Sequence, residues 1–237
     1  MAASPVRDAI WARALGLPPG LRSSSLLPWP GIAEVSEALR LRPEARLVDL
    51  ACGRGGYGIE VARRSGARLL GVDFSEVALA QARRGSAGVL AEGRAEFRAG
   101  TLVATGLPDA AADALMCVDA VQFADPPLAA LTEIRRVLRP GGRVAVTCWE
   151  LTGPPDDRVP ARLHVVHLHR DLTAAGFTDV RVEQRPGWRE AERGLWQEMV
   201  AVEAGTDEAL RSAQSEGRRT LATFDALRRV VATATAP

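Results

Sequence analysis

The fold of this chain is decided by the segment Val48-Asp49-Leu50-Ala51-Cys52-Gly53-Arg54-Gly55-Gly56-Tyr57-Gly58. An apolar strand predicted at Arg46–Leu50 runs into this glycine-rich loop, and a helix is predicted from Gly58 to Ser65. Glycines after a first strand let the backbone turn sharply and approach a ligand closely. The N–H groups at the start of the following helix point at that ligand. The segment therefore predicts a ligand site at the carboxyl end of the first strand.

The rest of the chain alternates strands with helices. Further strands are predicted at Arg68–Asp73, Glu96–Gly100, Ala114–Val118, Arg143–Trp149, Asp179–Gln184 and Arg229–Ala234. Helices are predicted at Ile32–Leu41, at Ser75–Arg84 with Ser75 as its cap, and at Leu128–Leu138. Further helices are predicted from the end of a loop at Leu151–Pro160 to Gly176, and at Trp188–Ala204 and Asp207–Ala226. This alternation predicts an α/β fold, a parallel sheet with helices on both faces.

The length of 237 residues suits one generous domain with a helical cap. The predicted parts are an N-terminal helical cap segment (1–42), a cofactor-binding core (43–150) and the remainder of the core (151–237), with a helical insertion at about 188–226. About forty residues separate the last two predicted strands, too many for a hairpin. We therefore expect the insertion to cover the carboxyl ends of the sheet.

Composition excludes several classes of protein. The net charge is +1, so no overall field favours nucleic acid or an anionic membrane. All thirty basic residues are arginine, and the absence of lysine excludes Schiff-base enzymes and P-loop NTPases. A reductase with a Tyr-x-x-x-Lys pair is excluded as well, since Tyr57 is the only tyrosine.

Cysteine usage and apolar patterning bear on location. Cys52, Cys117 and Cys148 lie far apart in sequence, which suggests neither a disulfide framework nor a zinc knuckle. Residues 1–30 lack the pattern of a signal peptide, and no apolar stretch reaches the ~18 residues of a membrane span. We expect a soluble, cytoplasmic protein that has no nucleic-acid or membrane partner.

Two carboxylates limit the ligand of the glycine loop. Asp73 ends the second predicted strand twenty residues after Gly53, where it can accept hydrogen bonds from both hydroxyls of a ribose. Gly53, Gly55 and Gly58 also satisfy the dinucleotide pattern G-x-G-x-x-G, so an NAD-binding Rossmann enzyme is one alternative. Asp49 disfavours it, because a carboxylate there would repel a pyrophosphate but would suit an ammonium group.

Three segments together resemble the signature regions of class I S-adenosylmethionine (SAM) methyltransferases. They are residues 48–55, Gly71-Val72-Asp73-Phe74-Ser75 and Leu138-Arg139-Pro140-Gly141-Gly142-Arg143. The resemblance spans roughly residues 34–149, and the segment 117–124 is similar to actinobacterial small-molecule (natural-product type) methyltransferases. It implies a Rossmann-like seven-stranded sheet whose last strand is antiparallel, a helical cap, SAM as cofactor and a small-molecule methyl acceptor.

The resemblance also implies roles for the residues around SAM. Gly53 and Gly55 would line its methionine portion, and Asp49 would help to hold the amino group. Asp73 would bind the ribose hydroxyls, and Phe74 would lie against the adenine ring.

The resemblance also implies contacts at the two ends of SAM, from residues at or just after the ends of the third and fourth strands. The backbone at Val118 would face the sulfonium and amino end. Many members of the family have an aspartate after the glycine that ends the third strand, but here Gly100 is followed by Thr101. The resemblance therefore leaves the adenine amino group to the Thr101 hydroxyl or to the Leu102 backbone.

Methyl transfer from a sulfonium needs an aligned nucleophile and often a base for the acceptor proton. Candidates follow the fourth and fifth strands. Gln122 can orient an acceptor by hydrogen bonding but cannot act as a base, and a polar residue at a helix start is the alternative. Asp119 is either a base or a cap. Glu150, directly after Trp149, is either a base or a solvated loop residue.

The three histidines are close in sequence. His164 and His167 would share one face of a helix, and either is a candidate general base. A metal site needs a further ligand close by, and helical spacing turns His169 and Asp171 away from that face. No metal is therefore expected, and a solvated helix is the alternative to a catalytic role.

Tryptophans fall in the segments that are expected to cover the site. Trp29, Trp188 and Trp196, together with Trp149 at the end of the fifth strand, are candidates for walls that suit an apolar, planar acceptor. Packing in the core is the alternative for each.

These features predict SAM-dependent methylation of a small molecule at oxygen, nitrogen or carbon, by a monomer or homodimer. Proximity and alignment would drive the reaction, with or without a general base. One alternative is a methyltransferase-like protein that binds SAM without methylating, as a structural ligand or in another reaction. Gln122 leaves room for it, because relatives often carry a histidine at that position.

Overall fold

The structure, a computed structural model, describes residues 4–21, 23 and 25–237. In this part of the chain one sheet is formed by seven strands, β1 (Arg46–Leu50), β2 (Arg68–Asp73), β3 (Ala95–Ala99), β4 (Ala112–Val118), β5 (Leu138–Leu151), β6 (Thr178–Gln184) and β7 (Leu227–Thr235). Their order is β3-β2-β1-β4-β5-β7-β6. The pairs among β1 to β5 are parallel, and β7 is antiparallel to both neighbours. The predicted seven-stranded sheet with an antiparallel last strand is confirmed.

The helices are α1 (Pro5–Ala14), α2 (Trp29–Leu39), α3 (Gly56–Ser65), α4 (Glu76–Ser86), α5 (Pro127–Val137), α6 (Ala161–His164), α7 (Leu168–Ala174), α8 (Pro186–Ala201) and α9 (Glu208–Ala222). Ser75 caps α4 as predicted, because its side chain accepts a hydrogen bond from the Ala78 N–H. The two long C-terminal helices end earlier than predicted. Val202 takes an extended conformation after α8, and a 3₁₀ turn at Phe224–Ala226 follows α9. Among the helices of the described residues, none has the length and apolar character that crossing a bilayer requires.

Alternate residues of the strands face two helical layers, as the two-residue period of a strand dictates. Leu47 and Met116 belong to the buried cluster that includes side chains of α2, α3 and α8. Their neighbours Val48 and Leu115 belong to the cluster that includes side chains of α5 and α7. The central strands are therefore buried on both faces, and their polar residues emerge at the strand ends.

The single helix predicted after residue 160 is in fact two shorter helices, α6 and α7, which are separated at Val165–His167. The Glu150 carboxylate accepts a hydrogen bond from the Leu168 N–H (2.7 Å), and the Asp171 carboxylate accepts one from the His167 N–H (3.0 Å). These donors bond to side chains instead of to the carbonyl four residues earlier. A tertiary contact with β5 therefore starts a new helix at residue 168.

Helices α1, α8 and α9 pack together as a group. The Ser4 hydroxyl donates to Asp207 (2.5 Å), and the Trp11 and Trp196 rings meet edge to face with their centroids 5.7 Å apart. Helix α2 packs instead against α3, β4 and β5. Residues 1–42 were expected to form one cap segment, and their described part contains one helix that joins α8 and α9 and another that packs on the sheet.

Candidate active site

The glycine loop between β1 and α3 leaves open space beside its first glycine. Gly53 has a φ of 53° and Gly55 one of 78°, in the left-handed region that glycine adopts without strain. A Cβ on Gly53 would meet no atom within 4 Å. A larger residue at this position would fill the space, which glycine leaves for a ligand.

Asp49, near the carboxyl end of β1, touches the backbone of α3. A Cβ on Gly58 would lie 2.5 Å from Asp49 Oδ2, so only glycine lets the helix approach this carboxylate without displacement. Burial raises the pKa of Asp49 to about 7; a hydrogen bond from the Gly58 N–H opposes the shift, and the nearby Asp73 adds to it. A cationic group placed beside Asp49 would stabilise its ionised form.

Asp73, at the carboxyl end of β2, joins the glycine loop to the start of α4. Its Oδ2 accepts a hydrogen bond from the Gly53 N–H (2.8 Å), and its Oδ1 accepts one from the Ser75 N–H (2.9 Å). The next residue, Phe74, is 81% exposed. Together they offer two contacts that a nucleoside uses, an acceptor for ribose hydroxyls and an aromatic face for the base.

The other positions predicted to contact SAM follow β3 and end β4. Thr101 is exposed, and its N–H donates to the Ala104 carbonyl (2.9 Å) in a turn that leaves Leu102 half-buried. The Val118 carbonyl accepts a hydrogen bond from the Ser25 hydroxyl (3.3 Å). The residues predicted to bind SAM therefore lie at or just beyond the carboxyl ends of four adjacent strands.

A cavity of about 550 Å³ lies where β4 and β5 end, and α1, α8 and α9 complete its wall. The apolar part of the wall includes Trp11, Trp149, Trp196, Leu26, Phe123, Leu163, Phe224 and Leu227. The polar and charged part includes Asp119, Gln122, Glu192, Arg158, Arg162, Arg189, Glu216 and Arg219. Cavities of this size, mostly apolar with a few placed polar groups, bind small organic molecules.

Three charged side chains, Arg229, Asp119 and Glu192, are buried together beside this cavity. Arg229 Nη2 lies 2.5 Å from Asp119 Oδ1, and Arg229 Nε lies 3.8 Å from Glu192 Oε2. The guanidinium also lies over the Trp149 ring, 3.9 Å from its centroid. Burial opposes the charge of Arg229, but the two carboxylates outweigh burial and raise its pKa. Two acids therefore share one cation.

Glu192, on α8, was not predicted as a site residue. It is 1% exposed and accepts hydrogen bonds from Trp149 Nε1 (2.8 Å) and Trp196 Nε1 (3.4 Å). Burial raises its pKa to about 7, although Arg229 and the Trp149 N–H oppose the shift. One sequence signal could have found it. Glu192 lies four residues after Trp188 and four before Trp196, on the apolar stripe of an amphipathic helix.

Gln122 and Asp119 line the cavity, and both are engaged with the protein. Gln122 Nε2 donates to the Asp119 carbonyl (2.8 Å), and its Oε1 accepts from the Cys148 thiol (3.2 Å). Besides its ion pair, the Asp119 carboxylate accepts hydrogen bonds from the Leu26 N–H (2.8 Å) and the Thr147 hydroxyl (2.6 Å). Asp119 therefore fastens the N-terminal segment to the ends of β4 and β5, which fits neither a free base nor a helix cap.

Glu150 does not belong to the cavity wall. It follows Trp149 on β5, so the two side chains point to opposite faces of the sheet. Its buried carboxylate binds the Leu168 N–H and pairs with Arg228 at 2.7 Å. Glu150 is thus neither solvated nor near the cavity, and its contacts hold the start of α7.

The histidines do not belong to the cavity wall either. His164 Nε2 lies 3.1 Å from the Asp156 carbonyl oxygen, and His167 is exposed at the amino end of α7. Because the chain breaks between α6 and α7, the prediction that His164 and His167 share one helical face is wrong. Within the described ranges, no group of three or more His, Cys, Asp or Glu is arranged to hold a metal ion.

The tryptophans predicted to contact an acceptor divide into two pairs. Trp149 and Trp196 line the cavity. Trp188 packs beside Gly31 of α2, where a Cβ would come within 2.9 Å of the indole ring. Trp29 stacks on an arginine of α3. The structure therefore brings the first pair to the cavity and uses the second pair in packing between helices.

The strand order, the glycine loop after β1 and the carboxylate that ends β2 define the class I methyltransferase fold. Residues 48–146 match a family model described as a methyltransferase domain. The resemblance seen in the sequence is thereby confirmed. The matched region contains Asp49, Asp73 and Gln122, whereas Glu192 and Arg229 lie beyond it.

Curated relatives share part of their length with this chain. An O-methyltransferase of Pyrenophora dematioidea is 27% identical over 169 residues, which cover 65% of this chain and 63% of that protein. A sterol 24-C-methyltransferase of Gibberella zeae is 31% identical over 117 residues, which cover 47% of this chain and 30% of that protein. The chain thus spans less than two thirds of the length of either relative.

Solved structures share the fold over nearly the whole chain. Phosphoethanolamine N-methyltransferase 2 of Haemonchus contortus, in complex with SAM, superposes with a TM-score of 0.79 at 18% identity and covers 98% of this chain and 57% of its own. The [4+2]-cyclase SpnF gives a TM-score of 0.76 at 22% identity, over 97% of this chain and 92% of its own. At such identities the similarity establishes the fold alone.

Proposed function

We propose that this protein is a SAM-dependent methyltransferase that acts on a small organic molecule. The observation that carries the proposal is the adjacency of two sites along one edge of the sheet. The first is the glycine loop with Asp49 and Asp73, and the second is the aromatic cavity where β4 and β5 end. Val118 of the first site is followed by Asp119 of the second, so a donor and an acceptor would meet at this point.

The donor site fits SAM residue by residue. Asp49 would face the cationic amino end, and the open space beside Gly53 would take the methionine portion. Asp73 would accept the ribose hydroxyls, Phe74 would stack its exposed ring on adenine, and the Thr101 hydroxyl would meet the adenine amino group. When bound, SAM supplies a methyl group on a positively charged sulfur.

The cavity supports a small-molecule acceptor. Its volume of about 550 Å³ suits a ligand of drug size, and its tryptophans would contact a planar, apolar body. The relatives are named for transfer to oxygen, to carbon and to nitrogen. The acceptor atom must therefore be argued from the cavity of this chain.

A second candidate function is a reaction other than methylation. The fold is shared with a [4+2]-cyclase, and Gln122, whose amide cannot take a proton, lines the cavity. A protein of this kind would bind SAM and leave it unconsumed. The product of SAM, S-adenosylhomocysteine, therefore distinguishes the two functions.

Calorimetry with SAM and S-adenosylhomocysteine tests the donor site. We expect one-to-one binding that weakens about 10-fold or more in Asp73→Asn, because a hydrogen bond to a charged group contributes about 1.5–3 kcal/mol. Asp109→Asn is the matched control, since Asp109 is 81% exposed in a surface ion pair. Absence of SAM binding at millimolar concentration would refute the proposal. SAM binding without S-adenosylhomocysteine release in the presence of small-molecule cell extracts would favour the second function.

A further inference from the structure

We propose that Glu192 takes the proton of the methyl acceptor, and that this acceptor is a planar, largely apolar molecule with a hydroxyl or amine group. The inference rests on the proposed function and assigns a proton acceptor to that reaction. It names oxygen or nitrogen as the acceptor atom, because the aromatic wall of the cavity suits phenols and aromatic amines.

The orientation of Glu192 is fixed by two indole N–H groups. Trp149 Nε1 donates to Oε2 at 2.8 Å, and Trp196 Nε1 donates to Oε1 at 3.4 Å. Each donor uses one acceptor position of the carboxylate, and a carboxylate offers about four. Glu192 lines the cavity and is 1% exposed, so its carboxylate is shielded from bulk water and borders the space that an acceptor would occupy. Such a group is placed to take a proton from that acceptor.

Burial of Glu192 favours uptake of a proton, and Arg229 opposes this effect only in part. Arg229 on β7 faces it at 3.8 Å, but the same guanidinium lies 2.5 Å from Asp119. With Glu192 ionised, the buried group therefore carries two negative charges against one positive charge. Burial accordingly holds the pKa of Glu192 at about 7, where both protonation states are populated near neutral pH.

Among the described residues, the other charged groups of the wall form no ion pair with Glu192. They are Arg189 on α8, Glu216 and Arg219 on α9, and Arg158 and Arg162 from the loop before and the start of α6. Arg189 is half-buried and donates to carbonyls and to Asp225, and the others are exposed. Solvent therefore screens most of this set, and Arg229 and Asp119 determine the field at Glu192.

Three other polar residues of the wall, Asp119, Gln122 and Glu216, are less suited to take a proton, and Glu216 is exposed to solvent. Asp119 already accepts two hydrogen bonds and takes the nearer side of Arg229. Gln122 has both ends of its amide bound within the protein and cannot be protonated near neutral pH. Glu192 is therefore the wall residue that combines burial, orientation and capacity for a proton.

The reaction balances with Glu192 as the base. The acceptor gives its O–H or N–H proton to a Glu192 oxygen and uses a lone pair to bond the methyl carbon. The bond between that carbon and sulfur breaks, and its electron pair stays on sulfur, which becomes a neutral thioether. Glu192 ends neutral and returns the proton to solvent after the product leaves.

The wall also indicates the shape of the acceptor. The Arg229 guanidinium covers one face of the Trp149 ring, 3.9 Å from its centroid. A ligand would therefore contact Trp149 on the part of the ring that lines the cavity. Trp11 and Trp196 meet edge to face beside it. Aromatic walls of this kind stack on planar rings. Phenols and aromatic amines are therefore the molecules to test.

A titration without acceptor tests the state of Glu192. Glu192 is hydrogen-bonded to two indoles, so its protonation should change tryptophan fluorescence between about pH 5.5 and 8.5. We expect a transition near pH 7 in the wild type and in Glu190→Gln, an exposed glutamate on the same helix, and none in Glu192→Gln. A transition that persists in Glu192→Gln, or none in the wild type, would overturn the proposal.

Turnover with a panel of phenols and aromatic amines tests the role itself. On the best acceptor and at saturating SAM, where the ionisation of Asp49 no longer limits binding, Glu192→Gln should lose about 100-fold or more in kcat and lose the acid limb of the kcat profile, because a positioned base contributes about 10²–10⁴. SAM affinity should stay near that of the wild type, and Glu192→Asp should restore part of the rate. Glu190→Gln should match the wild type.

The failures can be told apart. A wild type that does not bind SAM overturns both this inference and the proposed function. A wild type that binds SAM but methylates no member of the panel overturns the acceptor class. Glu192→Gln with a rate within about threefold of the wild type, and with its acid limb in place, overturns the role of Glu192 and leaves the proposed function standing.

Discussion

Replacement of Arg229 by methionine keeps an unbranched side chain, although a shorter one, and removes the cation that two buried carboxyl groups share. Asp119 and Glu192 lie 2.5 Å and 3.8 Å from the guanidinium. Loss of one partner of a buried ion pair costs about 3–5 kcal/mol, because the remaining charge keeps its desolvation penalty. In a chain of this size each kcal/mol lowers the melting temperature by about 2–4 °C. We therefore expect Arg229→Met to melt roughly 6–20 °C below the wild type at about pH 8.

The loss should depend on pH with a definite sign. A carboxyl group whose pKa is higher in the folded than in the unfolded chain costs stability as the pH rises, because the unfolded chain releases the proton first. Glu192 is such a group, with a pKa raised from 4.5 to about 7. Arg229 opposes that rise, so its removal moves the folded pKa higher still. The stability of the variant should therefore keep falling above pH 7, where the contribution of Glu192 in the wild type has levelled off.

Melting curves between about pH 5 and 8 decide the matter. Arg181→Met is the matched control, because Arg181 is exposed on the neighbouring strand β6, and it should change stability by at most about 1 kcal/mol. Arg229→Met combined with Glu192→Gln should recover part of the loss, since one uncompensated charge is then absent. A loss no larger than that of the control, or equal at both ends of the pH range, would refute the reasoning.

Three further outcomes are expected. Gly58→Ala should lower stability by about 1–3 kcal/mol, because its Cβ would lie 2.5 Å from Asp49 Oδ2. Gly194→Ala, which has open space in α8, should raise stability by up to about 1 kcal/mol. Equal melting temperatures of the two variants would contradict the close contact between Gly58 and Asp49. SAM affinity should rise with pH through about 7, because the bound ammonium favours ionised Asp49, and calorimetry in buffers of different ionisation enthalpy should detect proton release. Trp149→Phe removes a hydrogen bond to Glu192, so the acid limb of the pH profile should move up by about one unit; an unmoved limb would count against the assignment.

The parallel part of the sheet could be predicted because its signals are local. The strands β1, β2 and β4 are short apolar runs, and the positive φ angles at Gly53 and Gly55 belong to a conformation that favours glycine. Ser75 reads as a cap from the sequence and caps α4 in the structure. Asp49 and Asp73 lie at the carboxyl ends of adjacent parallel strands, so the strand order alone predicts that the two carboxylates lie close together.

Gln122, Trp149 and Trp196 of the cavity wall could be named from the sequence, but the charged group beside the cavity could not, because its residues come from distant segments. Glu192 interrupts the apolar pattern of a helix, and Arg229 interrupts that of a strand. Nothing in either pattern indicates that the two residues pair with each other. They meet because the register of β7 against β5 places Arg229 opposite Trp149, whose indole binds Glu192. The break before His167 is equally non-local, since Glu150 on β5 captures the first N–H group of α7.

The position of β7 has a consequence for synthesis of the protein. β7 lies between β5 and β6 although it follows both in sequence. On the ribosome, β6 therefore has no partner strand until residues 227–235 have emerged, and the edge of β5 stays open. The same residues carry Arg229, so Asp119 and Glu192 remain without their counter-ion over the same interval. During this interval the nascent chain exposes an unpaired strand and two acids without their counter-ion. We expect a chaperone to bind the chain at this stage of its synthesis.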